Sequence, residues 1–187
     1  DLVIAAISVI GASSIAVNWH RYILRDEVPK SLGQAMRLDA PVWNYAGYTL
    51  LTLIIVMLPV LLVLNIGMAV KPLLPLVLLA AVLAGIMVMR LSVALPAKAL
   101  EQQGFGIRQA VEVTRGNMLP FMGLLLVSTA IFMAALLFMG VLLAGAMQLA
   151  LPIAVVAIAL ISLVANLFIT IFSVSLLSSL YGFFVEG

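Results

Sequence analysis

Five long apolar runs constrain this chain more than any other feature of its sequence. A helix needs ~20 apolar residues to cross the hydrocarbon core of a bilayer, and these runs meet or approach that length. Their apolar character is continuous, whereas the strands of membrane barrels alternate in polarity over ~10 residues. We therefore predict an all-α, polytopic transmembrane bundle with about five spans and short amphipathic elbow helices on its cytoplasmic side. The runs extend from Leu2 to Asn18, from about Val42 to Leu64, from about Leu73 to Leu95, from about Met118 to Met147, and from Leu151 to about Phe184.

The composition supports this placement and excludes several kinds of site. Charged residues make up only 9% of the chain and the mean hydropathy is +1.33, whereas soluble domains carry ~25% charged residues. A formal net charge of +2 gives no reason to expect nucleic-acid binding. Because the chain has no Cys and a single His, thiolate chemistry and a multi-histidine metal site are excluded. The sequence also has no Walker-type phosphate loop, no HExxH and no GxSxG motif, so we predict no cofactor and no catalytic residues.

The chain is predicted to be one transmembrane domain over residues 1–187. It starts at Asp1 without a Met and runs directly into an apolar stretch, so we interpret it as a fragment that lacks an N-terminal segment. One further upstream helix would bring the total to six.

The basic residues predict the orientation. Two connections, Arg21–Ala40 and Ala97–Asn117, carry seven of the nine Lys and Arg residues, and the opposite connections carry only Lys71. The positive-inside rule places the two basic connections, and the C-terminus, in the cytoplasm, where a basic face would meet anionic headgroups. Besides Arg21, that face consists of Arg25, Lys30, Arg37, Lys98, Arg108 and Arg115.

The two basic connections resemble each other at an offset of 75 residues, with Leu32–Asp39 matching Ile107–Thr114 and an identical Gln-Ala pair in each. Both segments read as short amphipathic helices, and Ser31 with Gln34 has the spacing of a capping box. Arg108 and Glu112 have the spacing of an i, i+4 ion pair. These features indicate a hairpin repeat over 19–65 and 90–148. The alternative is two unrelated juxtamembrane helices of similar composition.

Aromatic and basic side chains close the first run and open the second. Such residues prefer the headgroup zone, so we expect them to anchor the helix ends in the membrane interface. His20 has an alternative role in proton transfer, with Asp26 or Glu27 nearby. The predicted anchors are Trp19, His20, Arg21, Tyr22, Trp43 and Tyr45.

Two polar residues fall inside the apolar runs. Arg90 lies near the end of the third run, where it could extend to the headgroups or pair with Glu101 or Asp39. Asn166 lies in the middle of the fifth run, and we expect its amide to face other helices as hydrogen-bonding glue, with a substrate contact as the alternative. Pro59 predicts a kink in the second run.

Two stretches carry a resemblance to a known group of proteins. One is Trp19-His20-Arg21-Tyr22-Ile23-Leu24 with Asp26-Glu27 behind it; the other is Leu95-Pro96-Ala97-Lys98-Ala99-Leu100 followed by Gln109-Ala110 and Thr114-Arg115-Gly116-Asn117. Together they resemble uncharacterised bacterial multi-pass proteins related to the glycerophosphodiester phosphodiesterase membrane domain and to the YciC-like group. The resemblance implies a six-helix bundle in the bacterial inner membrane. It transfers no catalytic residue, because the phosphodiesterase active site belongs to a separate soluble domain.

The leading functional hypothesis is a non-catalytic accessory or scaffolding subunit of a membrane complex. Its expected partners are membrane lipids and either another membrane protein or a second copy of the chain. One alternative is a transporter or lipid-handling protein with a path between the hairpins, which would use Arg90 and Asn166. Another is a membrane anchor that regulates an associated enzyme.

Overall fold

The computed structural model describes residues 2–186, apart from the side chains of Leu2, Ile4, Ala5, Lys71 and Leu74, and confirms an all-helical chain. Helix accounts for 85% of the structure, and no strand occurs in the described residues. A 3₁₀ turn at Lys71–Leu73 precedes α4, and one π-helical turn at Gly182–Glu186 follows α8. The α-helices are α1 (Leu2–Arg25), α2 (Leu32–Ala35), α3 (Ala40–Ala69), α4 (Leu74–Ser92), α5 (Ala94–Ala99), α6 (Ile107–Val113), α7 (Met118–Ala146) and α8 (Leu151–Tyr181).

Within the described residues, four helices (α3, α4, α7 and α8) are long and apolar enough to cross a membrane. The helix α1 covers the first apolar run, but part of that run lies outside the described side chains, so the fifth span stays a prediction. Proline residues occupy the first turns of α3, α4 and α8. Amide hydrogens in the first turn of a helix have no acceptor within the helix, so the amide hydrogen that proline lacks costs no helical hydrogen bond there. Pro59 does not end α3, which continues to Ala69.

The five long helices form a closed ring in the order α1, α3, α4, α7, α8, and α8 returns to α1. Tight turns join α3 to α4 and α7 to α8, so these pairs are antiparallel, whereas α1 and α8 run parallel. The two long connections, residues 26–39 and 93–117, therefore meet at the same end of the ring. We call it the basic end, because the predicted basic face lies there.

The short helix α5 fills the ring at the basic end. It contacts α1, α3 and α8, and every residue of it except Lys98 is buried. The sequence placed Ala97 at the start of a basic connection, and in the structure Ala97 and Ala99 are buried within α5. The small side chains Ala94, Ala97 and Ala99 let three long helices approach the α5 backbone, which makes this segment the centre of the main hydrophobic cluster.

Away from the basic end the helices are much less buried. Few residues of α7 and α8 are buried, and the most apolar part of α8 has no buried residue at all. Large apolar side chains such as Leu137, Val141, Val156 and Val164 are exposed there. The ring therefore has one well-packed end and a long outward apolar surface formed by α7 and α8.

The 75-residue offset also appears in local backbone structure. Asp26 and Glu101 both adopt left-handed conformations, with φ of 53° and 57°. Asp26 directly follows α1, and Glu101 lies just beyond Leu100, the residue that caps α5. The side chains of Gln34 and Gln109 each accept a hydrogen bond from a backbone amide just before α2 or α6. These matches support the hairpin repeat, which stays a prediction. The copies differ, since α2 is a single exposed turn and α6 packs against α4.

Candidate functional site at the basic end

His20 lies at the centre of a buried polar cluster where α1, α3 and α8 meet. Its ring is fully buried, with Nδ1 2.8 Å from the Ser178 hydroxyl and Nε2 3.3 Å from the Tyr45 hydroxyl. The expectation that His20 and Tyr45 anchor the membrane interface is therefore wrong, because both side chains face other helices. The sequence could not show this, since it does not reveal which face of α1 meets α3.

One tautomer of His20 is compatible with all the hydrogen bonds of this cluster. The Ser178 hydroxyl has one hydrogen and donates it to the Val174 carbonyl, 3.0 Å away. His20 Nδ1 then carries the ring proton and donates to Ser178, while Nε2 accepts from Tyr45. In the described structure neither Asp26 nor Glu27 contacts the ring. The two ring nitrogens of His20 contact Ser178 on α8 and Tyr45 on α3, so the cluster links three helices.

Two arginine side chains on α1 hold the end of α5. Arg21 Nε donates to the Ala99 carbonyl at 3.0 Å, and Arg25 donates to the Leu100 carbonyl at 2.9 Å. The last carbonyls of a helix have no intrahelical partner and carry partial negative charge, so cations stabilise them. Arg21 also bridges Glu27 at 3.1 Å and Glu101 at 2.6 Å, and its side chain is only 13% exposed. Arg21 is thus a structural cross-link, and its role as an interfacial anchor stays a prediction.

Arg90 plays the same part for α6. Its Nε donates to Thr114 Oγ1 at 2.9 Å and its Nη2 donates to the Val111 carbonyl at 3.0 Å. It therefore reaches the end of the amphipathic helix. The predicted ion pair with Glu101 or Asp39 is not formed in the described structure, where those carboxylates bind Arg21 and Arg37.

The other predicted anchors differ in their exposure. Tyr22 is exposed, and Trp43 is 55% exposed while its indole nitrogen donates to the Leu38 carbonyl. Trp19 is half-buried and donates to Ser175 Oγ on α8 at 3.1 Å. Tyr22 and Trp43 have the outward placement expected of interfacial aromatics, whereas Trp19 also joins two helices.

The remaining basic residues lie at the surface or half-buried at the same end. Arg37 pairs with Asp39, with Nε 2.9 Å from Oδ1, and this hydrogen bond lowers the pKa of the Asp39 carboxyl. Lys98 is half-buried, with its ammonium 5.6 Å from the centre of the Tyr48 ring. Lys30, Arg108 and Arg115 are exposed.

The short helices present their predicted faces in different ways. In α6, Ala110 is buried and Arg108 and Glu112 are exposed, although the predicted ion pair between the last two does not form in the described structure. In α2, Ser31 Oγ accepts a hydrogen bond from the backbone amide of Gln34, as the capping-box spacing predicted. The apolar face of α2 does not pack against other described parts of the chain, and Leu32 on it is 82% exposed.

Asn166 does not face the other helices of this chain. It is exposed on α8, and its amide donates to the carbonyl of Ser162 in the same helix at 3.2 Å. The expectation that it binds neighbouring helices is therefore not met within the described chain.

Two cavities flank the start of α3 at the basic end. One, of about 660 Å³, lies beside α2 and is lined by residues of both charge signs, among them Asp26, Lys30 and Arg37. The other, of about 590 Å³, lies between the first turns of α3 and the end of α5, and includes Trp43 and Lys98. Neither cavity could be predicted from the sequence, because each is formed by segments that only the fold brings together.

Within residues 2–186, no group of three or more His, Asp or Glu side chains is placed to hold a metal ion. The chemistry that the basic end supports is hydrogen bonding and charge pairing between helices, together with two open cavities that carry unpaired polar groups.

Comparisons with known proteins find no relative: no family model matches the chain, and no curated protein and no solved structure matches it. The fold and the site define the chain as a helical bundle with several helices able to span a membrane. The resemblance drawn from the two sequence stretches stays a prediction.

Proposed function

We propose that this chain is a multi-pass protein of the bacterial inner membrane, with its basic end and C-terminus in the cytoplasm, that serves as an accessory or scaffolding subunit. It has no catalytic activity of its own and works through helix–helix and lipid contacts. The orientation is supported by the meeting of both basic connections at one end of the ring.

The observation that carries this proposal is the outward position of Asn166. A carboxamide has two donor hydrogens and an acceptor oxygen, and the Ser162 carbonyl takes only one donor. The apolar part of α8 around it is unburied, so the rest of the amide would face acyl chains. Because lipid offers no hydrogen bonds, a polar group there is best satisfied by another transmembrane helix.

The polar residues at the basic end support the same proposal. The side-chain nitrogen atoms of His20, Arg21 and Arg90 form hydrogen bonds with other helices of the chain, so these residues have structural roles. The transport alternative used Arg90 and Asn166, and it gains no support from their positions, since one binds α6 and the other faces outward.

The test is extraction of the tagged full-length protein from its native membrane in lipid nanodiscs, followed by mass measurement and identification of bound chains. The Asn166→Val variant should lose the partner while the bundle keeps its melting temperature. Ser179→Ala is the matched control, because Ser179 is also exposed on α8 and also bonds a carbonyl of its own helix. If Asn166→Val keeps the partner as Ser179→Ala does, or if the wild-type chain is extracted as a monomer without a partner, the proposal is wrong. A second copy found instead of another protein identifies a homo-oligomeric scaffold.

A further inference from the structure

The cavity between α3 and α5 has the composition of a site for an amphiphile. Its volume is about 590 Å³, which lies in the range of small-molecule pockets. Its polar lining includes Lys98 and the amide side chains of Gln103 and Asn44, and its apolar lining includes Gly47 and Leu51 of α3. A polar mouth therefore adjoins an apolar groove on the outside of a helix that can span a membrane.

The polar mouth carries a positive charge that nothing in the described chain neutralises. No carboxylate pairs with Lys98 there, and its ammonium lies near the Tyr48 ring instead. Glu101 also lines the cavity, but its carboxylate is taken by Arg21 at 2.6 Å. The cavity thus offers a free cation and neutral amide donors, a combination that suits one phosphate negative charge.

The apolar groove is open at Gly47. A Cβ built at Gly47 would have no heavy atom within 4 Å, and Leu51, one turn further along α3, is 45% exposed. Residues four apart lie on the same helix face, so Gly47 and Leu51 form one continuous groove. An acyl chain can lie along it, parallel to α3.

We propose that this cavity binds a glycerophospholipid, with the phosphodiester at Lys98 and an acyl chain along Gly47 and Leu51. The exposed indole of Trp43 lines the same cavity, and tryptophan concentrates at the headgroup level of a bilayer. This supports a position of the cavity at the depth of the lipid phosphates. This proposal does not depend on a protein partner at α7 and α8, because the cavity lies on α3 and α5.

The test is native mass spectrometry of the delipidated protein in a phosphate-free maltoside detergent, titrated with dioctanoyl-phosphatidylglycerol. Wild type should take up one lipid. The Gly47→Leu variant fills the groove and should weaken binding by about tenfold or more, while its melting temperature does not fall, because leucine favours helix over glycine. Lys98→Met should weaken binding by about tenfold through the lost charge, and Lys98→Arg should retain it.

Gly123→Leu on α7 is the matched control, because a Cβ at Gly123 also has no heavy atom within 4 Å and Gly123 is not among the residues that line this cavity. It should bind lipid as wild type does. Equal binding by wild type, Gly47→Leu and Lys98→Met overturns the proposal. Glycerophosphoglycerol, which has the headgroup without acyl chains, should bind far more weakly; equal affinity would assign the cavity to a soluble phosphodiester and overturn the lipid assignment.

Discussion

Replacing His20 by leucine tests whether this residue joins helices or anchors the interface. Leucine has a similar size, so the change removes polarity more than volume. The histidine makes two side-chain hydrogen bonds, to Ser178 and Tyr45. At ~1 kcal/mol each, their loss together with a Tyr45 hydroxyl left buried without an acceptor should destabilise the bundle by about 2–3 kcal/mol.

A double-mutant cycle measures the coupling between the His20 and Tyr45 side chains. In the His20→Leu background, Tyr45→Phe removes the orphaned hydroxyl, so the pair should be less destabilising than the sum of the single changes by about 1 kcal/mol. Tyr22→Leu serves as the control, since Tyr22 is on the same helix but exposed.

The assay is reversible unfolding in mixed micelles with a denaturing detergent, followed by circular dichroism. A change for His20→Leu within about 0.5 kcal/mol of zero, the range of ordinary surface substitutions, would refute the buried role. Strict additivity with Tyr45→Phe would refute the hydrogen bond between the two side chains.

Three further changes test other parts of the fold. In Gly67→Ala the new Cβ would collide with the Val77 side chain, so α3 and α4 should separate and the free energy of unfolding should fall by about 1–3 kcal/mol in the same micelle assay. Gly140→Ala places its Cβ in open space and should leave the stability unchanged or raise it. In Arg90→Lys the guanidinium, which donates to both Thr114 and Val111, is replaced by a single ammonium group that cannot reach both acceptors. The end of α6 should then be less tightly held, so limited trypsin digestion should cut the α6 region faster than in wild type. An unchanged rate contradicts the assigned hydrogen bonds. Arg21→Gln should speed amide hydrogen exchange at the end of α5, and equal exchange would show that α5 does not need this cation.

The positions of the long helices could be predicted from the sequence, because the length of an apolar run is a local property. The predicted start of the fourth run, Met118, is the first residue of α7, and the predicted start of the fifth, Leu151, is the first residue of α8. The predicted ends were less accurate: α1 continues to Arg25, well beyond the apolar run, because helical hydrogen bonds continue into polar residues.

The buried site could not be predicted in the same way. His20 follows Trp19 and precedes Arg21 and Tyr22, a grouping typical of an interface, and only the packing of α1 against α3 and α8 places its ring inside. The sequence around Pro96 does not predict a buried helix, because proline disfavours a continuous helix and Lys98 is charged. Its burial depends on the five-helix ring, which no local pattern specifies.

The membrane topology is the central claim, and cysteine labelling tests it most directly. The chain has no native cysteine, so single cysteines report their own positions without interference. Glu112→Cys is exposed at the basic end, and Gln148→Cys is exposed in the turn between α7 and α8. In intact spheroplasts a membrane-impermeant maleimide should label Gln148→Cys, and should label Glu112→Cys only after the membrane is opened. Labelling of both positions before permeabilisation, or of Glu112→Cys alone, would contradict this topology.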